Sequence, residues 1–293
     1  MTEARLRAAG LDVLAAPARY VSSEETSLIS LARGGLARPM TRRTPFVGGG
    51  SDSAGRRIRP TVVLNAETVW RVAQIADRGA AWFRAQGLPD EPGPRLVTVG
   101  GAVPRPGVVE TAAGASIASL LQSAGAQPTT SGTLLVGGLG GALLRADEAW
   151  QGEWSTRWLS TLGARPGPGV VHVLDPDDCP VDAVTAWLDY AAGESAGQCG
   201  PCMFGLPAVA DDWRSLASGT QADRAARDRL VQRARSVSGR GACRFPDGVS
   251  GLVLSAVRVL ADHLDDHAAR RCSMRSRHHR RSDGHAVHAS LAG

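Results

Sequence analysis

The chain has 293 residues, enough for one to three domains, with a 43% hydrophobic content that is ordinary for a globular fold. Its five scattered cysteines exclude a disulfide scaffold and point to a reducing compartment, where close-set cysteines read as metal-binding or catalytic. The net charge of +5 belongs to the end of the chain: residues 268–293 hold six Arg and one Asp, so the body before them is neutral and specific nucleic-acid binding is not expected.

In chain order, the start "MTEARLRAAGLDVL" lacks the apolar run of a signal peptide, and no stretch approaches the roughly 18 apolar residues of a membrane helix. A cytoplasmic protein without membrane insertion is expected. In "YVSSEETSLISLARGG", Leu28, Leu31 and Ala32 share a helical face, and the glycines at 34–35 end it. "TVVLNAETVWRVAQIADRGAAWFRAQG" reads as a helix with a stripe of Val69, Val72, Ile75 and Ala76. After the linker "PDEPGPR" the period changes to two. "RLVTVGGAV" and "GVVETAAG" are strands across a Pro-Gly turn, and "SIASLLQSAGA" is a short helix with Ile117, Leu120 and Leu121 on one face. "GTLLVGG" and "GALL" are further strands. This strand–strand–helix–strand unit suggests a small β-grasp module. From "GVVHVLDPDDCP" onward the chain reads as helical. "VDAVTAWLDYAAG" carries Val181, Val184 and Leu188 on one stripe, "QADRAARDRLVQRARSVSG" is a polar helix, and "GVSGLVLSAVRVLADHL" is an apolar closing helix. The glycine runs at 48–50 and 137–141 lack the spacing of a dinucleotide fingerprint and read as turns.

The chemistry concentrates in "GESAGQCGPCMFG". Cys199 and Cys202 form a C-x-x-C pair, open to four roles: redox dithiol, part of a zinc site, part of an iron–sulfur site, or buried thiols. A thioredoxin-like dithiol sits where a strand feeds a helix. Here a helix precedes the pair, which argues against exchange. Cys243, in the Gly-flanked loop "GRGACRFPDG", is a third partner, and two loops at helix ends suit a shared metal site. Spacing alone does not choose between iron and zinc.

These motifs carry a resemblance. "ESAGQCGPC" followed by Cys243 about forty residues on is similar to the E-S-C-G-x-C-x-P-C…C pattern of the flavin- and NADH-binding subunit of bacterial NADH dehydrogenase (complex I) and its hydrogenase and formate dehydrogenase relatives. "YVSSEETSL" resembles Y-I-C-G-E-E-T-A-L, and "RPTVVLNAETV" resembles P-T-x-x-N-N-V-E-T-L. "RLVTVGGAVPRPGVVE" resembles the opening of the family's soluble-ligand-binding β-grasp module.

The resemblance implies an α+β chain. A remnant of the flavin domain (1–90) precedes the β-grasp module (91–148), a connector (149–177), a helical iron–sulfur domain (178–268) and a basic, disordered tail (269–293). It implies Cys199, Cys202 and Cys243 as cluster ligands. Ala196 stands where a further cysteine ligand belongs. A [4Fe–4S] cluster with an incomplete cysteine set, or a [3Fe–4S] cluster, is therefore expected. Helix lengths hold Cys179 and Cys272 away from that site, and Ser195 is nearer but a rarer ligand. Glu24, Glu25 and Asn65 match residues near the flavin and NADH site, with a capping or surface role as the alternative. The glycine-rich flavin loops have no counterpart in these residues, and FMN is not expected. The implied function is one-electron transfer beside other redox subunits in a larger complex, with no NADH dehydrogenase activity expected of the chain alone. The alternative is a non-catalytic interaction module without a cluster.

Overall fold

The computed structural model describes residues 3–41, 45–52, 54–128, 132–219 and 224–274, and the statements below concern these. Most of the expected basic tail, from 275 onward, lies outside the described residues.

The N-terminal region is built from short pieces. Helix α1 spans Glu3–Ala8, and α2 (Glu25–Ala32) follows a 3-10 turn at Tyr20–Ser23. The buried side of α2 is Thr26, Ser27 and Ile29 rather than the expected Leu28, Leu31 and Ala32. Ile29 joins a small core with Phe46 and Ile58. Helix α3 (Ala66–Arg78) and the short α4 (Ala80–Arg84) lie within the long helix expected here, broken at Gly79. The expected stripe of α3 does not face a core: Val69 and Val72 are 55% and 56% exposed. The buried residue is Arg71, whose guanidinium donates to Glu110 (2.6 Å) and Gln74 (2.8 Å). Glu67 also accepts from the Leu96 backbone N–H at 2.7 Å. Polar contacts to the neighbouring sheet orient this helix, and periodicity does not report such contacts.

That sheet has five strands: β1 (Pro94–Gly101), β2 (Gly107–Ala112), β3 (Thr133–Val136), β4 (Ala142–Arg145) and β5 (Val170–Val173). Their spatial order is β2-β1-β5-β3-β4. The β1–β2 and β3–β4 pairs are antiparallel, and β5 runs between them, parallel to β1 and antiparallel to β3. The central strand therefore comes from 170–173, inside the span expected to be a connector and to turn helical. "VVHV" is a short apolar run that periodicity cannot assign, and its pairing partners lie about 35 and 70 residues earlier. Between β2 and β3 lies α5 (Ile117–Ser123), and between β4 and β5 lie α6 (Ala146–Trp150) and α7 (Thr156–Thr161). Ile117, Leu120 and Leu121 are buried as expected.

The side-chain alternation of β3 and β4 divides two cores. Leu134, Val136 and Leu144 face α5 with Val97, Val99 and Trp154. Leu135 and Leu143 face the other way, into a helical bundle. The bundle comprises α8 (Pro180–Glu194), α9 (Leu206–Ala217), α10 (Arg224–Val237), α11 (Phe245–Val259) and α12 (Ala261–Ala268). Val181, Val184 and Leu188 of α8 are buried as expected. Helix α9 is not among the expected elements, yet Leu206, Val209, Ala210, Trp213 and Leu216 repeat at helical spacing and are all buried. The closing helix is two: Leu260 leaves helical geometry between α11 and α12, although its N–H still reaches Ala256 and its carbonyl accepts from Leu264.

Sheet and bundle meet closely. The Leu143 backbone N–H donates to Ser255 Oγ on α11 at 2.9 Å. Gly140 and Gly248 touch, and a Cβ on Gly248 would sit 2.7 Å from the Gly140 Cα. Two residues without side chains let the 137–141 turn rest on α11.

Candidate metal centre

The C-x-x-C pair lies just beyond the end of α8. Cys199 precedes one π-helical turn, Pro201–Gly205, which leads directly into α9. Such turns are rare and recur at functional sites. This one fits only because position 205 is glycine, whose added Cβ would meet Val237 of α10 at 2.4 Å. Cys202 is buried, whereas Cys199 and Cys243 are half-buried. Cys243 arrives from the loop before α11. That loop is held by Asp247, which accepts from the Gly239 N–H at 2.6 Å.

The three cysteines lie within electrostatic reach of one another. Burial, then the charges of Cys199 and Cys243, push the Cys202 thiol up to about 11. The backbone N–H of Ala196 points at Cys202 and works against that rise, so the position lacking a cysteine borders the site. Burial raises Cys243 as well, the Phe245 N–H lowers it, and Glu24, Cys199 and Asp247 add to the rise. Buried neighbouring thiols that resist joint ionisation become favourable thiolates only where a cation compensates them.

The N-terminal segment closes over this end of the bundle. Arg19 donates to the Gly193 carbonyl at 2.6 Å, and the Tyr20 N–H donates to Glu194 at 2.8 Å. The Tyr20 ring lies 4.9 Å from Phe245, and Gln198 donates to the Pro39 carbonyl. A cavity of about 890 Å³ opens here, with Glu24, the glycines at 140–141, Cys243 and Phe245 in its wall.

Glu24 caps α2, its carboxylate accepting from the Thr26 and Ser27 N–H groups at 2.9 and 3.0 Å. Glu25 lines an adjoining recess with Cys243. Asn65 caps α3, accepting from the Thr68 N–H at 2.7 Å, and does not appear in the wall of that cavity. Cys179 and Cys272 sit together at the opposite end of α8, with sulfurs 4.0 Å apart. Their convergence is invisible in the sequence, where 93 residues separate them.

Residues 182–267 match the family described as the NADH-ubiquinone oxidoreductase-F iron-sulfur binding region. The chain is 28% identical over 258 residues to an NADH-quinone oxidoreductase subunit of Streptomyces coelicolor, covering 88% of this chain and 56% of that protein. It is 27% identical to the NADP-reducing hydrogenase subunit HndC of Solidesulfovibrio fructosivorans, covering 85% of this chain and 50% of that one. Among solved structures, an NAD+-reducing [NiFe]-hydrogenase in the H2-reduced state matches at 31% identity with a TM-score of 0.74, over 85% of this chain and 42% of that chain. The resemblance carried by the motifs thus extends across most of the chain. The chain spans a little over half the length of the curated relatives it matches. No helix among the described residues is long and apolar enough to cross a membrane.

Proposed function

We propose that this chain is an iron–sulfur electron-transfer component of a larger redox complex, with Cys199, Cys202 and Cys243 as the cluster's protein ligands. The observation that carries the reading is the gathering of three partly buried thiols within electrostatic reach of one another at the bundle end, within the segment similar to an iron–sulfur binding region. Among the described residues, the group at single-ion spacing is a different one. Three thiols in electrostatic contact but outside single-ion spacing suit a cluster, whose sulfides and irons fill the middle, better than one zinc ion.

When bound, the cluster would supply one-electron transfer. The chain's own part is to hold three sulfurs, offer the Ala196, Phe245 and neighbouring amides to them, and screen the site beneath Tyr20 and Phe245. Position 196 brings no donor atom, so one iron of a four-iron cluster would lack a cysteine ligand here. The sheet order β2-β1-β5-β3-β4 supports a β-grasp module that draws in residues 170–173. That module, docked on α11, and the N-terminal segment leave the cavity beside Cys243 as the face for an electron donor or another redox protein.

The test is anaerobic reconstitution of the full chain with iron and sulfide, followed by iron and sulfide analysis and a visible spectrum. Cluster absorbance that disappears when all three cysteines become serine supports the proposal. A colourless wild type without iron would leave the interaction-module reading in its place.

A further inference from the structure

At the far end of α8, four side chains from three segments converge. Cys179 is the N-cap of α8, His263 and His267 lie one turn apart on α12, and Cys272 follows that helix. Their ligand atoms all fall within 4.8 Å of one another. His267 Nε2 is 3.2 Å from Cys179 Sγ. His263 Nε2 is 3.6 Å from Cys179 Sγ and 3.5 Å from Cys272 Sγ, and the two sulfurs are 4.0 Å apart.

These four separations match edges of a coordination tetrahedron, and the remaining two lie within 4.8 Å. Zn–S bonds of ~2.3 Å and Zn–N bonds of ~2.05 Å put sulfurs about 3.8 Å apart and sulfur and nitrogen about 3.5 Å apart around one zinc ion. A two-iron cluster shared by two Cys and two His would need the pairs farther apart, because each pair would bind a different iron.

The supporting contacts are those of a ligand set. His267 Nδ1 lies 2.5 Å from the Ala217 carbonyl of α9, which accepts its proton. That bond fixes the tautomer and turns the Nε2 lone pair toward the sulfurs, as second partners of metal-bound histidines do. The chain reverses after α12 through Arg270, at φ 57°, the one non-glycine residue with positive φ among the described residues. The Arg271 N–H then bonds the Asp266 carbonyl and the Arg270 N–H the His267 carbonyl, closing a helix-ending turn. This turn brings Cys272 back beside His263. An arginine held where glycine is preferred marks a segment fixed by its surroundings. A small recess lined by Ser218, His267, Arg270 and Cys272 gives an ion access from solvent.

We propose that Cys179, His263, His267 and Cys272 form a mononuclear Cys2His2 zinc site, separate from the Cys199–Cys202–Cys243 centre. Binding would release two thiol protons, and two thiolates would neutralise the ion. Its role is structural: all four positions are occupied by protein, and the ion would tie the start of α8 and the chain after α12 to one point. Cys179 and Cys272 both lie outside the matched region 182–267, so the site is not a property carried by that match.

The experiment is metal analysis of the full chain, with three companion variants. Wild type is expected to hold about one equivalent of zinc. The triple variant Cys199→Ser/Cys202→Ser/Cys243→Ser should keep it, whereas Cys272→Ser and His263→Asn should each lose most of it. Zinc-stripped wild type loaded with Co2+ should show the visible bands of a tetrahedral thiolate site, unchanged by the triple substitution and lost in Cys272→Ser. The cobalt spectra of wild type and the triple variant carry the assignment without a substitution at the proposed site itself. Zinc that leaves with the triple variant and persists in Cys272→Ser would overturn the proposal. So would a Cys179–Cys272 disulfide whose reduction yields protein that takes up neither zinc nor cobalt.

Discussion

The two ends of α8 carry cysteine constellations built on opposite plans. Beyond its C-terminal end, Cys199, Cys202 in the π-helical turn and Cys243 from the loop before α11 lie within electrostatic reach of one another, beneath an N-terminal segment that wraps the site. At its N-terminal end, Cys179 and Cys272 close to 4.0 Å between two histidines held by helix geometry. The first set falls outside single-ion spacing, whereas the second falls within it. Side chains that touch leave room for one ion. About 20 Å of helix separates the two places, so each can be altered while the other serves as control.

The largest expected effect is a clean separation of the metals. Cys202→Ser removes the buried thiol of the Cys199–Cys202–Cys243 set and should abolish iron binding and visible absorbance, with helical content and zinc unchanged. Elemental analysis of one sample reads both ends at once. Parallel loss of iron and zinc would mean that the bundle itself had come apart.

The second prediction asks whether packing or metals hold the bundle. Trp213 of α9 is fully buried, and its indole N–H donates to the Val181 carbonyl and Thr185 Oγ1, both at 3.1 Å. Trp213→Ala should cost about 3–5 kcal/mol. Trp213→Phe should cost less, near the ~1 kcal/mol of a net hydrogen bond plus a modest packing loss. Denaturant midpoints of the metal-free chain measure both. If neither substitution moves the midpoint, the Trp213 contacts are not what holds the helices together.

Ala196→Cys sharpens the contrast at the Cys199–Cys202–Cys243 end. Position 196 borders Cys202, and a thiol there completes C-x-x-C-x-x-C. The variant should keep four irons per cluster after brief air exposure, where wild type falls toward three, read by iron counts and low-temperature EPR. Zinc should not change. Iron in the variant with none in wild type would show that the natural chain has given up the cluster.

The two ends also differ in how far the sequence exposes them. Cys199 and Cys202 announce themselves because three residues of spacing is a local pattern, and Cys243 follows from its glycine-rich setting. Cys179 and Cys272 are legible only as cysteines kept away from the other site. Their meeting depends on the sharp reversal at Arg270 and on the packing of α12 against α9. One signal was available: H-x-x-x-H-x-x-x-x-C, which puts two imidazoles on one helical face with a thiol close behind. The sheet repeats the lesson. Hairpin β1–β2 is readable from its turn, but β5 pairs across long separations and "VVHV" bears no mark of it. In α3 the apolar stripe is real, yet a buried arginine and its carboxylate partners orient the helix.

The smallest expected effect lies between the two ends, and it separates their chemistry from the scaffold's. His172 on β5 packs edge-on against Trp187 in the middle of α8, with ring centres 6.2 Å apart. Burial lowers its pKa from the ordinary histidine value. In the unfolded chain the imidazole takes up a proton near pH 6.5, while in the folded chain it resists until a lower pH. The unfolded state therefore binds more protons in that window, so stability is full above pH 6.5 and lost as pH falls through the folded value. His263 is depressed by burial and by His267 and adds a loss of the same sign in metal-free protein. Denaturant midpoints at pH 7.5 and 5.5 for metal-free wild type and His172→Gln isolate the contribution of β5: the variant should lose less on acidification. Equal losses in both would place the whole acid sensitivity elsewhere, with His263 the first group to test, and the middle of α8 would then be indifferent to pH.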